Sequence, residues 1–116
     1  MPRINGVDVT LGPYNSYRGL NLSNADLHGM NLTQCIFIEA NLTGANLQGA
    51  DLSNCNLTNA TFERANLQGA NLQATIFRYV NLSGANCKQA DFSNADLTRA
   101  NFRGANLTGA NLRRTY

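Results

Sequence analysis

Residues 40–54 read Ala-Asn-Leu-Thr-Gly, Ala-Asn-Leu-Gln-Gly, Ala-Asp-Leu-Ser-Asn, and this five-residue period decides the fold. The period runs without an insertion from Leu20 to Arg114, which gives nineteen consecutive units. The centre of each unit is a large apolar residue, Leu in thirteen units and Phe in five, with one Cys. A small residue, Ala in thirteen units, lies two positions earlier, and Asn or Asp stands between the two in sixteen units. Similarity at so strict a period predicts a solenoid.

The five-residue period matches neither a helix, with 3.6 residues per turn, nor a plain strand, with two. Within each unit, however, the small and the large apolar residue are two positions apart, which is strand alternation and directs both side chains inward. The polar or Gly pair that follows turns the chain, because Asn, Asp and Gly tolerate unusual backbone angles or hydrogen-bond locally. One unit cannot bury its own Leu, whereas stacked turns bury all of them. The residues therefore predict an all-β solenoid and leave the number of sides per turn open.

The units 40–44, 65–69 and 95–99 resemble the pentapeptide repeat family, whose pattern is A-(D/N)-L-x-x and which has many cyanobacterial members. The resemblance covers residues 20–115. It implies a right-handed quadrilateral β-helix with four pentapeptides per turn and about five turns, in which residues twenty apart are stacked.

Residues 1–19 break the repeat and are predicted to form an N-terminal capping segment, with the β-helix over residues 20–116. Val7, Val9 and Leu11 alternate with polar residues, and Gly12-Pro13 is a turn signal. Because a solenoid needs its open end covered to stay soluble, we expect this segment to lie over the first turn.

Composition excludes several classes of protein. Nine basic and seven acidic residues give a net charge of +2, so the chain is neither strongly basic nor acidic. No apolar run reaches the roughly 18–20 residues of a membrane helix, and no apolar stretch follows a basic start as in a signal peptide. The prediction is a protein without a membrane partner, and nucleic acid is disfavoured as a ligand. The four C-terminal arginines are interpreted as solubilising charge in preference to a phosphate site: Arg99, Arg103, Arg113 and Arg114.

The sequence offers no convincing catalytic or metal site. His28 is the one histidine and directly follows a centre, so it is expected to be a surface residue. The acids Asp26, Asp51, Asp91 and Asp96 occupy the Asn/Asp position, where a carboxylate can accept from corner amides. No phosphate-binding loop pattern is present. We therefore predict no enzyme activity, no cofactor, no metal and no small-molecule substrate.

Cys35, Cys55 and Cys87 all fall at inward positions. Their odd number and their spacing fit neither a disulfide framework nor a zinc site, so buried free thiols are predicted. Cys35 and Cys55 should stack on adjacent turns, with Cys87 on another side. Free thiols fit a reducing compartment, and the predicted location is cytoplasmic.

One side of the coil departs from the repeat. Ile36, Thr61 and Ile76 replace Asn or Asp, each before a Phe, and Ile36 and Ile76 are forty residues apart and hence on one side. A mixed apolar, Tyr and Arg surface is typical of a protein contact. The predicted contact residues are Ile36, Ile38, Ile76, Arg78, Tyr79 and Arg99. Two plainer explanations stay open, namely scattered surface apolar residues and a corner distorted by the bulky Phe.

The function predicted from these features is a non-catalytic structural or protein-interaction module with an unknown protein partner, as a monomer or a weak homodimer. The alternative comes from the resemblance, because one branch of the family imitates DNA and interacts with DNA gyrase. That imitation implies a strongly negative rod with a C-terminal dimerisation extension. The net charge of +2 and the end of the sequence at Tyr116, directly after the last repeat, disfavour it.

Overall fold

The structure is a computed structural model that describes residues 10–116 and, before them, the backbone of two short strands. Strand β1 (Arg3–Ile4) pairs with β2 (Val7–Asp8) in antiparallel register, Arg3 opposite Asp8 and Ile4 opposite Val7. Of the alternating segment predicted for the N-terminus, Val9 lies outside the described residues, and Leu11 is buried.

The repeats form a right-handed quadrilateral β-helix, as the resemblance implied. Sixteen parallel bridges join residues twenty apart, from Ser16–Ile36 to Asp91–Asn111, which confirms four units per turn. We call the bridge-forming residue of each unit, which is usually Asn or Asp, its ladder position. The ladder begins at Ser16, inside the segment predicted as the cap, and the coil completes about five turns.

Most corners are tight turns closed by a backbone hydrogen bond, such as that from the Ala25 amide to the Leu22 carbonyl at 3.1 Å. At Thr75 and Thr115 the side-chain hydroxyl donates to the equivalent carbonyl, Leu72 at 2.8 Å and Leu112 at 3.1 Å. The second central residue of the corner has a positive φ at every corner from Tyr14 to Arg114, while the first does not. This combination is the signature of a type II turn. Thirteen of the left-handed residues are not glycine and eight are, so the ladder bonds on either side impose the conformation even where a side chain resists it.

The centre residues fill the inside of the coil. Every centre from Leu22 to Phe92 is fully buried, which confirms the predicted inward direction. The aromatic centres contact one another from side to side, with ring centroids 5.8 Å apart for Phe62–Phe77 and 5.6 Å for Phe77–Phe92. In the last turn the centres, among them Phe102 and Leu107, are only partly buried.

The three thiols are free and buried, as predicted. Cys35 and Cys55 lie on adjacent turns, where the Asn56 amide donates to the Cys35 carbonyl, and Cys87 lies on another side. The Cys55 thiol donates to the Leu32 carbonyl at 2.9 Å. Burial raises the pKa of Cys55 and of Cys87 to about 12, so both thiols are neutral at physiological pH.

The described residues before the first full turn lie against the coil. The Tyr17 ring stacks on Phe37 at 5.3 Å, its hydroxyl accepts from the Gly12 amide, and the Cys35 thiol donates to the Gly12 carbonyl at 3.2 Å. The described part of the chain contains no helix long and apolar enough to cross a membrane.

Candidate protein-interaction side

The ladder position carries Asn or Asp because its side chain completes the corner. The side-chain carboxamide oxygen of Asn21 accepts a hydrogen bond from the backbone amide of Ser23, two residues later, at 3.1 Å. The carboxylate of Asp51 accepts in the same way from the amide of Ser53 at 2.9 Å. The bond recurs at all sixteen Asn and Asp ladder positions. It satisfies an amide that the ladder leaves open, which gives the repeat a physical reason to keep these two residue types.

The three departures each give up this bond. Within residues 10–116, no side chain accepts from the corner amides of Ile38, Glu63 or Arg78, which follow Ile36, Thr61 and Ile76. Thr61 carries a second unsatisfied group, because its own hydroxyl oxygen is buried without a hydrogen-bond partner in the described residues.

The bulky Phe centre does not account for these departures. Phe92 and Phe102 also follow a ladder residue, and there Asp91 and Asn101 make the usual corner bond at 2.9 Å. The corner after Phe77 has the usual φ, 60° at Tyr79, and Phe77 keeps its ladder bond to the Asp96 carbonyl at 2.7 Å. A Phe centre therefore leaves the corner undistorted and compatible with Asn.

The predicted contact residues all lie on one side of the rod. We call it the Ile36 side and define it, with the corners at its two edges, as residues 14–19, 34–39, 54–59, 74–79, 94–99 and 114–116. Ile36 and Ile76 are each 40% exposed and Tyr79 is 54% exposed, while Ile38 is half-buried.

Two exposed aromatic residues on this side were missed by the sequence reasoning. Tyr116 is 81% exposed and stands at the ladder position two turns beyond Ile76. Its amide donates to the Ala95 carbonyl and its carbonyl accepts from Leu97, so it belongs to the coil. Tyr14, 69% exposed, lies at a corner of the same side. The twenty-residue spacing identifies both, because Tyr14 lies twenty residues before Gln34 and Tyr116 twenty residues after Asp96, just outside the repeat from Leu20 to Arg114.

Exposed apolar side chains are concentrated on the Ile36 side. Among the described residues, five of the seven exposed large apolar side chains lie there, and the other two are Leu20 and Leu112. The ladder column alternates along the rod in the order Ser16, Ile36, Asn56, Ile76, Asp96, Tyr116. This concentration speaks against randomly scattered surface residues.

The charged residues of this side differ in how they are partnered. The Arg78 guanidinium donates through Nε to the Asp96 carboxylate at 2.6 Å. Because it already has this ion-pair partner, Arg78 is less available to pair with an acidic group of another protein. The Thr98 hydroxyl and the Arg78 guanidinium hold the pKa of Asp96 at about 2, so this pair stays charged at physiological pH. Arg18 lies 3.6 Å from Glu39. Arg99 and Arg114 are exposed, and neither has an ion-pair partner within residues 10–116.

The remaining candidates for chemistry are spread over the surface. Exposed His28 lies 2.7 Å from Asp26, and this contact lowers the pKa of the Asp26 carboxyl. Within the part of the chain that the structure describes, no three His, Cys, Asp or Glu residues come together as a metal site would require.

The sequence matches one protein family. The match is to the family described as pentapeptide repeats, in eight copies over residues 21–59, 55–86 and 75–114. No protein among the curated sequences matches the chain.

Solved structures with a similar coil include two cyanobacterial proteins. A pentapeptide repeat protein from Nostoc PCC 7120 is 31% identical with a TM-score of 0.65, over 87% of this chain and 86% of that one. The pentapeptide repeat protein Rfr23 from Cyanothece 51142 is 27% identical with a TM-score of 0.58, over 86% of this chain and 89% of that one. Trypsin-treated QnrB1, a plasmid-mediated fluoroquinolone resistance protein, is 18% identical with a TM-score of 0.42, over 92% of this chain and 83% of that one.

Proposed function

Because this chain belongs to the pentapeptide repeat family, we propose that it is a non-catalytic interaction module that binds a protein partner through its Ile36 side. The observation that carries the proposal is the replacement of a useful Asn by Ile twice on one side, at Ile36 and Ile76. Each replacement gives up a corner hydrogen bond and exposes an apolar side chain, although a Phe centre does not require it. A protein contact supplies a reason for both.

The composition of the side suits a protein contact. Tyr and Arg are enriched in such interfaces, and exposed Tyr79, Tyr116 and Arg99 lie on the same side of the rod as the two Ile residues. The net charge of +2 is opposite in sign to that of a DNA-like rod, so imitation of DNA toward gyrase stays the disfavoured alternative.

The proposed location is the cytoplasm. Three free thiols are easiest to retain in a reducing compartment, which is the physical support for this choice.

The test is affinity capture with a double variant, Ile36→Asn with Ile76→Asn, against the unmodified chain. We expect the variant to lose capture of its partner from extracts of the source cell by at least about tenfold, because two buried contacts of about 1.4 kcal/mol or more together exceed that factor. Its free energy of unfolding should stay equal or rise by about 1 kcal/mol, because each Asn restores a corner bond.

Thr61→Asn is the matched control, because it restores the same corner bond on a different side. It should leave capture unchanged. Unimpaired capture by the double variant, or a marked loss of its stability, would show that Ile36 and Ile76 serve the fold and not a contact.

A further inference from the structure

We infer that the Ile36 side binds an amphipathic α-helix whose apolar stripe is flanked by acidic residues, with the helix axis along the rod. This inference rests on the proposed function and adds the class of partner. It follows from two independent properties of the side, the spacing of its apolar residues and its charge.

The spacing of the apolar ladder residues fits a helix. Ile36, Ile76 and Tyr116 occupy every second turn, with polar residues between. Two turns of the coil correspond to about 10 Å along the rod. Seven residues of an α-helix rise about 10.5 Å, so positions i, i+7 and i+14 of one helix lie close to the three apolar ladder residues in turn. An extended segment repeats its side chains about every 6.6–6.8 Å and does not match.

The size of the patch also suits a helix. From Ile36 to Tyr116 the column crosses four turns, about 19 Å. A helix of about 14 residues spans that length, and its diameter with side chains is about 10–12 Å. A single partner helix therefore reaches all three apolar ladder residues.

The positive charge of the Ile36 side favours a partner helix with acidic residues on both flanks of its apolar stripe. The side carries four basic side chains, Arg18, Arg78, Arg99 and Arg114, and two acidic ones, Glu39 and Asp96. Its +2 equals the net charge of the whole chain, so the remaining residues sum to zero. Arg99 and Arg114 stand at opposite edges, one after and one before the ladder column, and are the two without an ion-pair partner in residues 10–116. Acidic residues on both flanks of an apolar stripe would face them.

A second copy of the chain is the competing occupant, and charge disfavours it. Packing two Ile36 sides together opposes +2 with +2, and like charges across an interface reduce affinity. A helix of opposite charge meets no such repulsion.

The test uses three synthetic helical peptides of 21 residues, labelled for fluorescence anisotropy. The first has Leu at a, d and e positions of three heptads with Glu on both flanks. The second carries Lys in place of Glu. The third has the composition of the first with its Leu residues distributed around the helix. We expect the first peptide to bind the full chain at least tenfold more tightly than either of the others.

The binding should require both properties of the side. The Ile36→Asn, Ile76→Asn double variant should weaken binding of the first peptide at least tenfold, and so should Arg99→Glu with Arg114→Glu. Thr61→Asn, on another side, should bind like the unmodified chain. Circular dichroism and denaturant melts of each variant check that the coil is retained.

Three results would overturn the inference. One is equal binding of all three peptides, or of none. A second is a homodimer in sedimentation that the Ile36 and Ile76 substitutions dissociate, which would make a second copy the occupant. The third is tighter binding of a 20-base-pair DNA duplex than of the acidic peptide, lost in the arginine variant.

The two proposals can fail separately. If the peptides do not bind but capture of a cellular protein still depends on Ile36 and Ile76, the side is a contact for a partner of another shape. If that capture is also independent of the two residues, the proposed function itself is wrong.

Discussion

The thiols illustrate how the coil treats a single residue. Cys55 lies in a column of small side chains, next to the larger centre residues, and its thiol donates to the Leu32 carbonyl. Cys87 occupies a centre position that Leu holds elsewhere in the same column and is fully buried. Each acts as a small apolar residue, and the low polarity around it disfavours the thiolate.

The buried thiols make stability sensitive to alkaline pH. Their pKa is about 12 in the folded chain against 9.0 for an exposed thiol, so the unfolded chain releases these protons first. Between pH 7.5 and about pH 9 the Cys55 and Cys87 thiols should leave the free energy of unfolding unchanged, and above pH 9 they should lower it by up to about 1.4 kcal/mol per pH unit for each thiol. Denaturant melts between pH 7.5 and pH 11 measure this.

A Cys55→Ala, Cys87→Val variant is the control for this dependence. It should lose most of the slope above pH 9. An equally steep slope in the variant would assign the pH dependence to other groups.

At the scale of one corner, the residue type and the backbone conformation do not always agree. Sequence reasoning identified the corner from its polar and Gly residues and gave the Asn or Asp its hydrogen-bonding role. It left the turn type open, because residues such as Arg64 and Tyr79 do not favour a positive φ. The backbone bonds to the neighbouring turn fix the turn type, since the amides of Arg64 and Tyr79 donate to the carbonyls of Ser83 and Thr98, nineteen positions later.

Two neighbouring corners allow the cost of this conformation to be measured. Gly69 has φ +67° with nothing within 4 Å of an added Cβ, and exposed Ala74 has φ 57°. Gly69→Ala should therefore lower the free energy of unfolding by about 1 kcal/mol through backbone strain alone. Ala74→Gly should raise it by up to about 1 kcal/mol, reduced by the greater entropy of an unfolded Gly.

Urea melts of both variants and of the combined exchange provide the measurement. The combined variant should lie near the unmodified chain. Destabilisation by both single substitutions would mean that side-chain contacts, and not φ, decide the residue at this position.

At the scale of the whole rod, the pattern predicted the fold and placed the candidate contact residues on one side, but it did not identify all the exposed aromatic residues of that side. A strict period with inward Leu and Phe predicts a solenoid that buries its centre residues, and the resemblance to the family supplied four sides per turn. Tyr14 and Tyr116 were missed because they lie where the repeat consensus gives out, although the ladder continues through both ends. The ion pair between Arg78 and Asp96 was missed because the two residues are eighteen positions apart in sequence, and only the coil makes them neighbours.

The rod should be most stable in its middle. Leu67 and Leu107 are centres of the same column, but Leu67 is fully buried with turns on both sides, whereas Leu107 in the last turn is partly exposed. Leu67→Ala should cost about 2–5 kcal/mol and Leu107→Ala clearly less, because less apolar contact is lost there. Denaturant melts check the difference.

Outward Gln68→Ala is the control beside Leu67 and should change stability by less than about 0.5 kcal/mol. Equal losses for Leu67→Ala and Leu107→Ala would contradict the dependence on position, and an equal loss for Gln68→Ala would contradict the inward and outward directions.

The twenty-residue repeat of the coil and the five-residue repeat of the sequence have different consequences for inherited change. Duplication or deletion of one pentapeptide between Ile36 and Ile76 keeps every unit intact, yet it rotates all later residues by a quarter turn about the rod. Ile36 and Ile76 would then face different directions, and the apolar column would be broken while the core remained filled. Only gains or losses of twenty residues preserve the surface. A chain of this kind can therefore gain or lose single pentapeptides without loss of its fold, but it keeps Ile36 and Ile76 in one column only if its length changes by whole turns.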